Sequence, residues 1–140
     1  DLYCEFSDFT ILTEVTMSTS SRQEAMEGEP VRRHVADAVE RYDKPVYGLF
    51  IANKIDTNTA ETFRHGVWYG KNDVIRRLII VPLTLLQFKN YFDAMFAANK
   101  AHPNKIKELL LDCNKRKEEL TAPKWKGHIE STVTRYIDSL

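Results

Sequence analysis

The sequence predicts an α/β domain: a small mixed sheet flanked by helices, with a C-terminal helical part. Residues 1–17 alternate in polarity on either side of Ser7-Asp8, as two strands joined by a tight turn do. Val46 to Asn53 is a near-continuous apolar run, the pattern of a central strand covered on both faces. From Thr84 onward the apolar period is helical, in three segments separated by breaks at His102-Pro-Asn104 and Thr121-Ala-Pro123. The order is strand–strand–helix–strand–strand and then three helices, enough to cover a small sheet.

Each element has a local cause. With a two-residue turn at Ser7-Asp8, Phe6 faces Phe9, Cys4 faces Ile11 and Asp1 faces Glu14. One face of this hairpin then carries Leu2, Cys4, Phe6, Phe9, Ile11, Val15 and Met17, interrupted by Thr13 alone, so its register is well specified. The polar run from Ser18 to Gln23 ends the hairpin and offers helix caps. A helical pattern follows to about Tyr42, with Val31, Val35, Ala38 and Val39 on its apolar face. Gly28 and Pro30 leave two readings of its start: a kinked helix from near Ser21, or a regular one from Pro30. Thr59 is expected to cap a short helix through Phe63, and His65-Gly66 and Tyr69 to Asn72 read as turn or loop chemistry. Arg77 to Leu83 reads as the next strand, its proline near the end where a ladder hydrogen bond is least missed. Thr84-Leu-Leu-Gln87 is a capping box that opens a helix to about Lys100. Further helices are expected from Lys105 to Leu120 and from Trp125 to Ile137.

Composition narrows the function classes. At 140 residues, 43% hydrophobic and 29% charged, the chain fits one globular domain able to bury a core. Lys+Arg and Asp+Glu are both 20, whereas a protein that grips nucleic acid alone is usually basic. If the substrate is DNA, something else supplies much of the grip. No apolar run approaches a membrane span and no signal-peptide pattern appears. Cys4 and Cys113 suit buried thiols in a reducing cytoplasm better than a disulfide. A zinc site is not expected, because His65, His102 and His128 have no ligand spacing with the cysteines. The chain starts with Asp inside a strand pattern, which reads as a domain cut from a longer protein.

The chemistry concentrates near the N-terminus. Asp1 and Glu14 facing each other repel, a local cost that a divalent cation would remove. The alternative is an exposed antiparallel pair with incidental acids. Glu27 and His34 are seven residues apart, two helical turns, on the side that also carries Val31 and Val35. A helix packing that side on the hairpin brings a third carboxylate and an imidazole toward the pair, an oxygen-rich site suited to Mg²⁺. The competing expectation puts Glu27 in solvent as a helix N-terminal acid and makes His34 a half-buried structural residue. Lys115-Arg-Lys117 and Lys124-Trp-Lys126 are basic clusters that could touch a DNA backbone or form a solvated face.

The Asp–hairpin–Glu arrangement resembles the PD-(D/E)xK nuclease core, with Thr16 where the usual lysine stands. The string Glu14-Val-Thr and the later Glu27-Gly-Glu-Pro-Val-Arg-Arg-His34 resemble the catalytic domain of type IIS nicking and restriction endonucleases typified by BstNBI and AlwI. That resemblance covers the whole chain as a C-terminal cleavage domain, residues 1–140. It implies that Asp1 and Glu14 bind metal, with the Val15 carbonyl a third ligand, and that Glu27 and His34 complete the catalytic site. It also implies a PD-(D/E)xK-like core, a Mg²⁺ cofactor, double-stranded DNA as substrate and a bacterial cytoplasmic restriction system. An N-terminal recognition domain in the parent chain would read the sequence, and a second catalytic subunit would be needed for a double-strand break. The expected activity is therefore metal-dependent hydrolysis of one DNA strand. The alternatives are a non-catalytic interaction domain with the last three helices as its docking face, or another PD-(D/E)xK activity such as a resolvase or repair nuclease.

Overall fold

The computed structural model describes residues 2–20 and 22–140. Strands β1 (Leu2–Glu5) and β2 (Thr10–Thr16) form the expected hairpin, pairing Leu2 with Thr13, Cys4 with Ile11 and Glu5 with Thr10. The Phe6 amide donates to the Phe9 carbonyl at 2.8 Å and closes the turn. Strand β3 (Val46–Ala52) pairs parallel with β2 and is buried throughout, as its unbroken apolar run predicts. Strand β6 (Ile80–Thr84) adds parallel to β3, giving a four-stranded mixed sheet in the order β1-β2-β3-β6. Pro82 is tolerated because β6 is an edge strand, where the missing N–H leaves no neighbour unpaired.

The two faces of the sheet are covered differently. Leu12, Glu14, Gly48, Phe50, Ile80 and Pro82 share one face by register. Helix α1 (Glu29–Arg41) lies on it with Val31, Val35 and Ala38 buried, and α2 (Thr57–Arg64) adds Phe63 against Phe50. Gly48 is what lets α1 come so close: a Cβ there would lie 2.9 Å from Val35 Cγ2 and 3.1 Å from Ile80 Cγ1. Helices α3 (Leu85–Ala97) and α4 (Pro103–Asn114) cover the opposite face, with Tyr91, Met95, Leu109 and Leu110 inside. Helix α5 (Ala122–Asp138) packs on α2, α3 and α4, and its Trp125 donates through Nε1 to the Cys113 carbonyl at 2.9 Å. Cys4 and Cys113 are both free thiols.

Several boundaries differ from the sequence expectation. Asp56, not Thr59, caps α2, accepting from the amides of Asn58 and Thr59. The stretch expected as loop and strand forms a two-stranded ribbon, β4 (Val67–Tyr69) with β5 (Ile75–Arg77), before the chain turns through Leu78 and Ile79 into β6. Arg32 of α1 fastens this ribbon, donating to the carbonyls of His65 and Val67 and lying 5.2 Å over the Trp68 ring.

The basic clusters also resolve differently. Helix α4 stops at Asn114, and the turns after it carry Lys117 inward, to 4% exposure. Its ammonium donates to the Leu78 carbonyl at 2.7 Å, beside Gly66, where a Cβ would sit 2.8 Å from the nitrogen. Trp125 is core, and Lys126 donates to the Ile55 carbonyl. The two clusters therefore do not present one basic face.

Burial pushes the Lys117 ammonium down from 10.5 to about 8. The unfolded chain then binds the extra proton between pH 8 and 10.5, so this group makes stability rise with pH. Over pH 7 to 9 the gain is roughly 1 kcal/mol. Above pH 9 it is opposed by the buried Cys113 thiol, pushed up to about 12. Lys117→Met is expected to abolish this group's rise in stability between pH 7 and 9. Urea melts of both proteins across that range check it.

Candidate active site

The carboxyl-terminal half of β2 and the first turns of α1 build the site. Glu14 points to the α1 face of the sheet and is only 9% exposed. Burying a carboxylate there requires a partner, and α1 supplies one: His34 Nδ1 lies 2.5 Å from Glu14 Oε1. Against an ionised carboxylate Nδ1 is the donating nitrogen.

A second rung lies beside the first. Thr16, two residues along β2 on the same face, donates through Oγ1 to Glu27 Oε1 at 3.2 Å. The backbone amide of Ser18 in turn donates to Thr16 Oγ1. The helix side expected to approach the hairpin does so, with His34 over Glu14 and Glu27 over Thr16. The expectation of Glu27 as a solvent-facing acid is not met: it is half-buried and bonded. His34 is half-buried and bonded to Glu14, which fits both the expected site and the competing expectation of a satisfied half-buried residue.

The start of α1 explains how Glu27 gets there. Pro30 cannot donate to the carbonyl four residues back, and its ring crowds that carbonyl. The helix passes it through a widened π-turn, Glu24–Gly28, that runs directly into α1. Three contacts pin this turn. Gln23, fully buried, donates to the carbonyls of Ser18 and Lys54 and accepts from the amide of Asp56. Thr62 of α2 donates to Glu24 Oε1 at 3.0 Å. Gly28 approaches Thr62 so closely that an added Cβ would lie 3.2 Å from its methyl group. Gln23 thus ties the loop after β2 to the loop after β3. It sits in a polar run between Arg22 and Glu24, and no spacing in the sequence singles it out.

Asp1 lies outside the described residues. The described hairpin pairs have the register on which its pairing with Glu14 was expected. The Val15 side chain is exposed on the face opposite Glu14. Among the described residues, no group of three or more His, Cys, Asp or Glu side chains is placed to hold a metal ion. The donors that are present fit a hard cation in type: the carboxylates of Glu14 and Glu27 and the Thr16 hydroxyl, with no thiolate among them.

Residues 1–91 match the family described as AlwI restriction endonuclease. No curated protein matches the chain. Among solved structures, the chain is similar to the small subunit (R.BspD6I2) of the heterodimeric restriction endonuclease R.BspD6I, with 27% identity and a TM-score of 0.74. The likeness covers 92% of this chain and 66% of that one, so this chain spans just under two thirds of that subunit's length. Among the described residues, no helix is long and apolar enough to cross a membrane.

Proposed function

Because this chain belongs to the AlwI restriction endonuclease family, we propose that it is a metal-dependent endodeoxyribonuclease domain that hydrolyses one strand of double-stranded DNA at a PD-(D/E)xK-like site. The observation that carries this reading is the contact between His34 and the buried carboxylate of Glu14. A polar pair under a helix is costly to bury unless it works as a unit. In this reading Asp1, Glu14 and the Val15 carbonyl would hold Mg²⁺, which when bound would supply positive charge to polarise a phosphoryl oxygen and acidify a water.

The chain's own residues do the rest. Glu14 orients His34 through Nδ1, and the imidazole is the base that takes the proton of the attacking water. Glu27, held by Thr16, keeps a second carboxylate beside that water. The water oxygen bonds to phosphorus, one P–O ester bond breaks, and the departing oxygen takes up a proton. Thr16 supplies no positive charge where the usual lysine would. One site cuts one strand, so a double-strand break needs a second catalytic subunit. The target sequence is read by a recognition domain of the parent chain.

Calorimetric titration with Mn²⁺ tests the reading. Asp1→Asn and Glu14→Gln are each expected to weaken binding at least tenfold, on the order of what losing a metal-site partner costs. Mg²⁺-dependent cleavage of duplex DNA is expected from the unaltered protein. Equal affinity in all three proteins rejects the metal site. A folded chain that binds no Mn²⁺ and leaves DNA intact is instead an interaction domain.

A further inference from the structure

The border between α1 and the edge strand β1 continues past the candidate site to a second cluster. On the sheet, Tyr3 pairs with Leu12, two residues before Glu14 on β2, so Tyr3 and Glu14 share the α1 face about 7 Å apart along the strands. On the helix, Arg41 lies two turns or about 10 Å beyond His34, on the same side of α1. The two elements meet there. The Arg41 guanidinium lies 4.9 Å from the centre of the Tyr3 ring and 5.0 Å from that of Tyr42, the residue that ends α1. The rings are 6.3 Å apart and tilted, so the guanidinium rests in the notch between them. Other basic side chains near the site are engaged: Arg32 and Arg64 by backbone carbonyls, Lys44 by Glu5 and Arg76 by Glu40. Arg41 is exposed, and among the described residues no carboxylate forms an ion pair with it, although Asp37 stands one turn back on the helix.

On the cleavage reading above, we propose that Arg41, seated on Tyr3 and Tyr42, binds a second backbone phosphate of the strand that is cut and so positions the scissile phosphate over Glu14 and His34. Arg41 is a positioning residue in this role and takes no part in the chemistry. Aromatic carbon beneath a guanidinium fixes its plane and leaves its N–H edge to meet a planar pair of oxygens. A phosphate offers such a pair and can take two N–H bonds at once. Phosphates of one strand recur every ~3.4 Å of helix axis, so the roughly 7–10 Å between the two clusters spans about two to three nucleotides. A contact of this kind sets register on the duplex and carries no sequence information. That suits a domain whose target is read elsewhere in the parent chain. In a chain with 20 basic and 20 acidic residues, a positive charge left unneutralised beside the site has local weight.

Binding of the unaltered protein to duplex DNA, measured without divalent metal from about 50 to 200 mM salt, tests the proposal. Arg41→Gln is expected to weaken binding about five- to tenfold and to flatten the slope of log affinity against log salt by about 1, the share of one phosphate contact. Arg41→Lys keeps the charge and is expected to restore the slope. Arg116→Gln is the control. It removes the same charge from an exposed turn on the β6 side of the sheet, next to the Lys117 that reaches Leu78, and is expected to change neither quantity. If Arg41 serves only the end of α1, Arg41→Gln lowers the melting temperature and leaves the slope alone. Four results overturn the phosphate seat: a slope indifferent to Arg41→Gln; a slope that Arg41→Lys does not restore; an equal effect of Arg116→Gln; or a folded protein that binds no duplex. Binding is read without cleavage, so bound DNA left uncut when Mg²⁺ is added counts against the cleavage reading and not against this contact.

Discussion

Replacing His34 by Asn or Glu27 by Gln is expected to lower DNA cleavage by about two to four orders of magnitude, the range for a positioned acid or base, with the fold intact. The two changes probe different rungs. His34→Asn removes the ring that meets Glu14 at 2.5 Å. Glu27→Gln keeps an oxygen able to accept from Thr16, so it removes the charge and leaves the 3.2 Å contact. If the two residues were structural, the same changes would lower stability by about 1–3 kcal/mol and leave cleavage per folded molecule nearly intact. Cleavage normalised to folded protein, measured beside thermal melts, separates these results. Thr16→Val completes the set: it breaks the second rung without touching the first.

The largest stability effect is expected at Trp125. Its side chain is fully buried where α5 meets α2 and α4, and its indole donates to the Cys113 carbonyl. Trp125→Ala opens a cavity and strands that carbonyl, a loss of about 3–5 kcal/mol. Trp125→Phe keeps most of the volume and loses the hydrogen bond, for about 1–3 kcal/mol including the unpaired carbonyl. Urea denaturation at constant pH reads both. A Trp125→Ala protein as stable as the Phe variant would mean that the junction collapses around the missing ring.

The approach of His34 to Glu14 and of Glu27 to Thr16 was legible because these residues lie close together in sequence on strongly patterned elements. The alternation of residues 1–17 specifies the hairpin register, and the Val31/Val35 stripe specifies which side of α1 meets the sheet. Together they bring Glu14 to His34 before anything is known of the rest. Long-range contacts were not legible. Lys117 reads as a solvated base, yet its ammonium finds the Leu78 carbonyl 39 positions away. Gln23 reads as part of a polar cap, yet it bonds to Lys54 and Asp56 across the sheet's end. The β4–β5 ribbon is three residues per strand, too short for alternation to register, and Arg32 from α1 holds it in place. In each case the partner is a backbone carbonyl or amide, and every residue has those.

The π-turn at Glu24–Gly28 is one residue wider than the α-helical pairing of α1 that follows it. Sliding that turn into ordinary α-helical pairing shifts it by one residue and swings Glu27 by about 100° around the helix axis. Gln23, Glu24 and Gly28 hold the present register through contacts outside the helix. A shift confined to the π-turn would leave His34, farther along α1, over Glu14. Such a shift would withdraw the second carboxylate from Thr16 and spare the contact between His34 and Glu14. In hydrogen exchange, amides of residues 24–28 would open at a lower free energy than those of β3 beneath them.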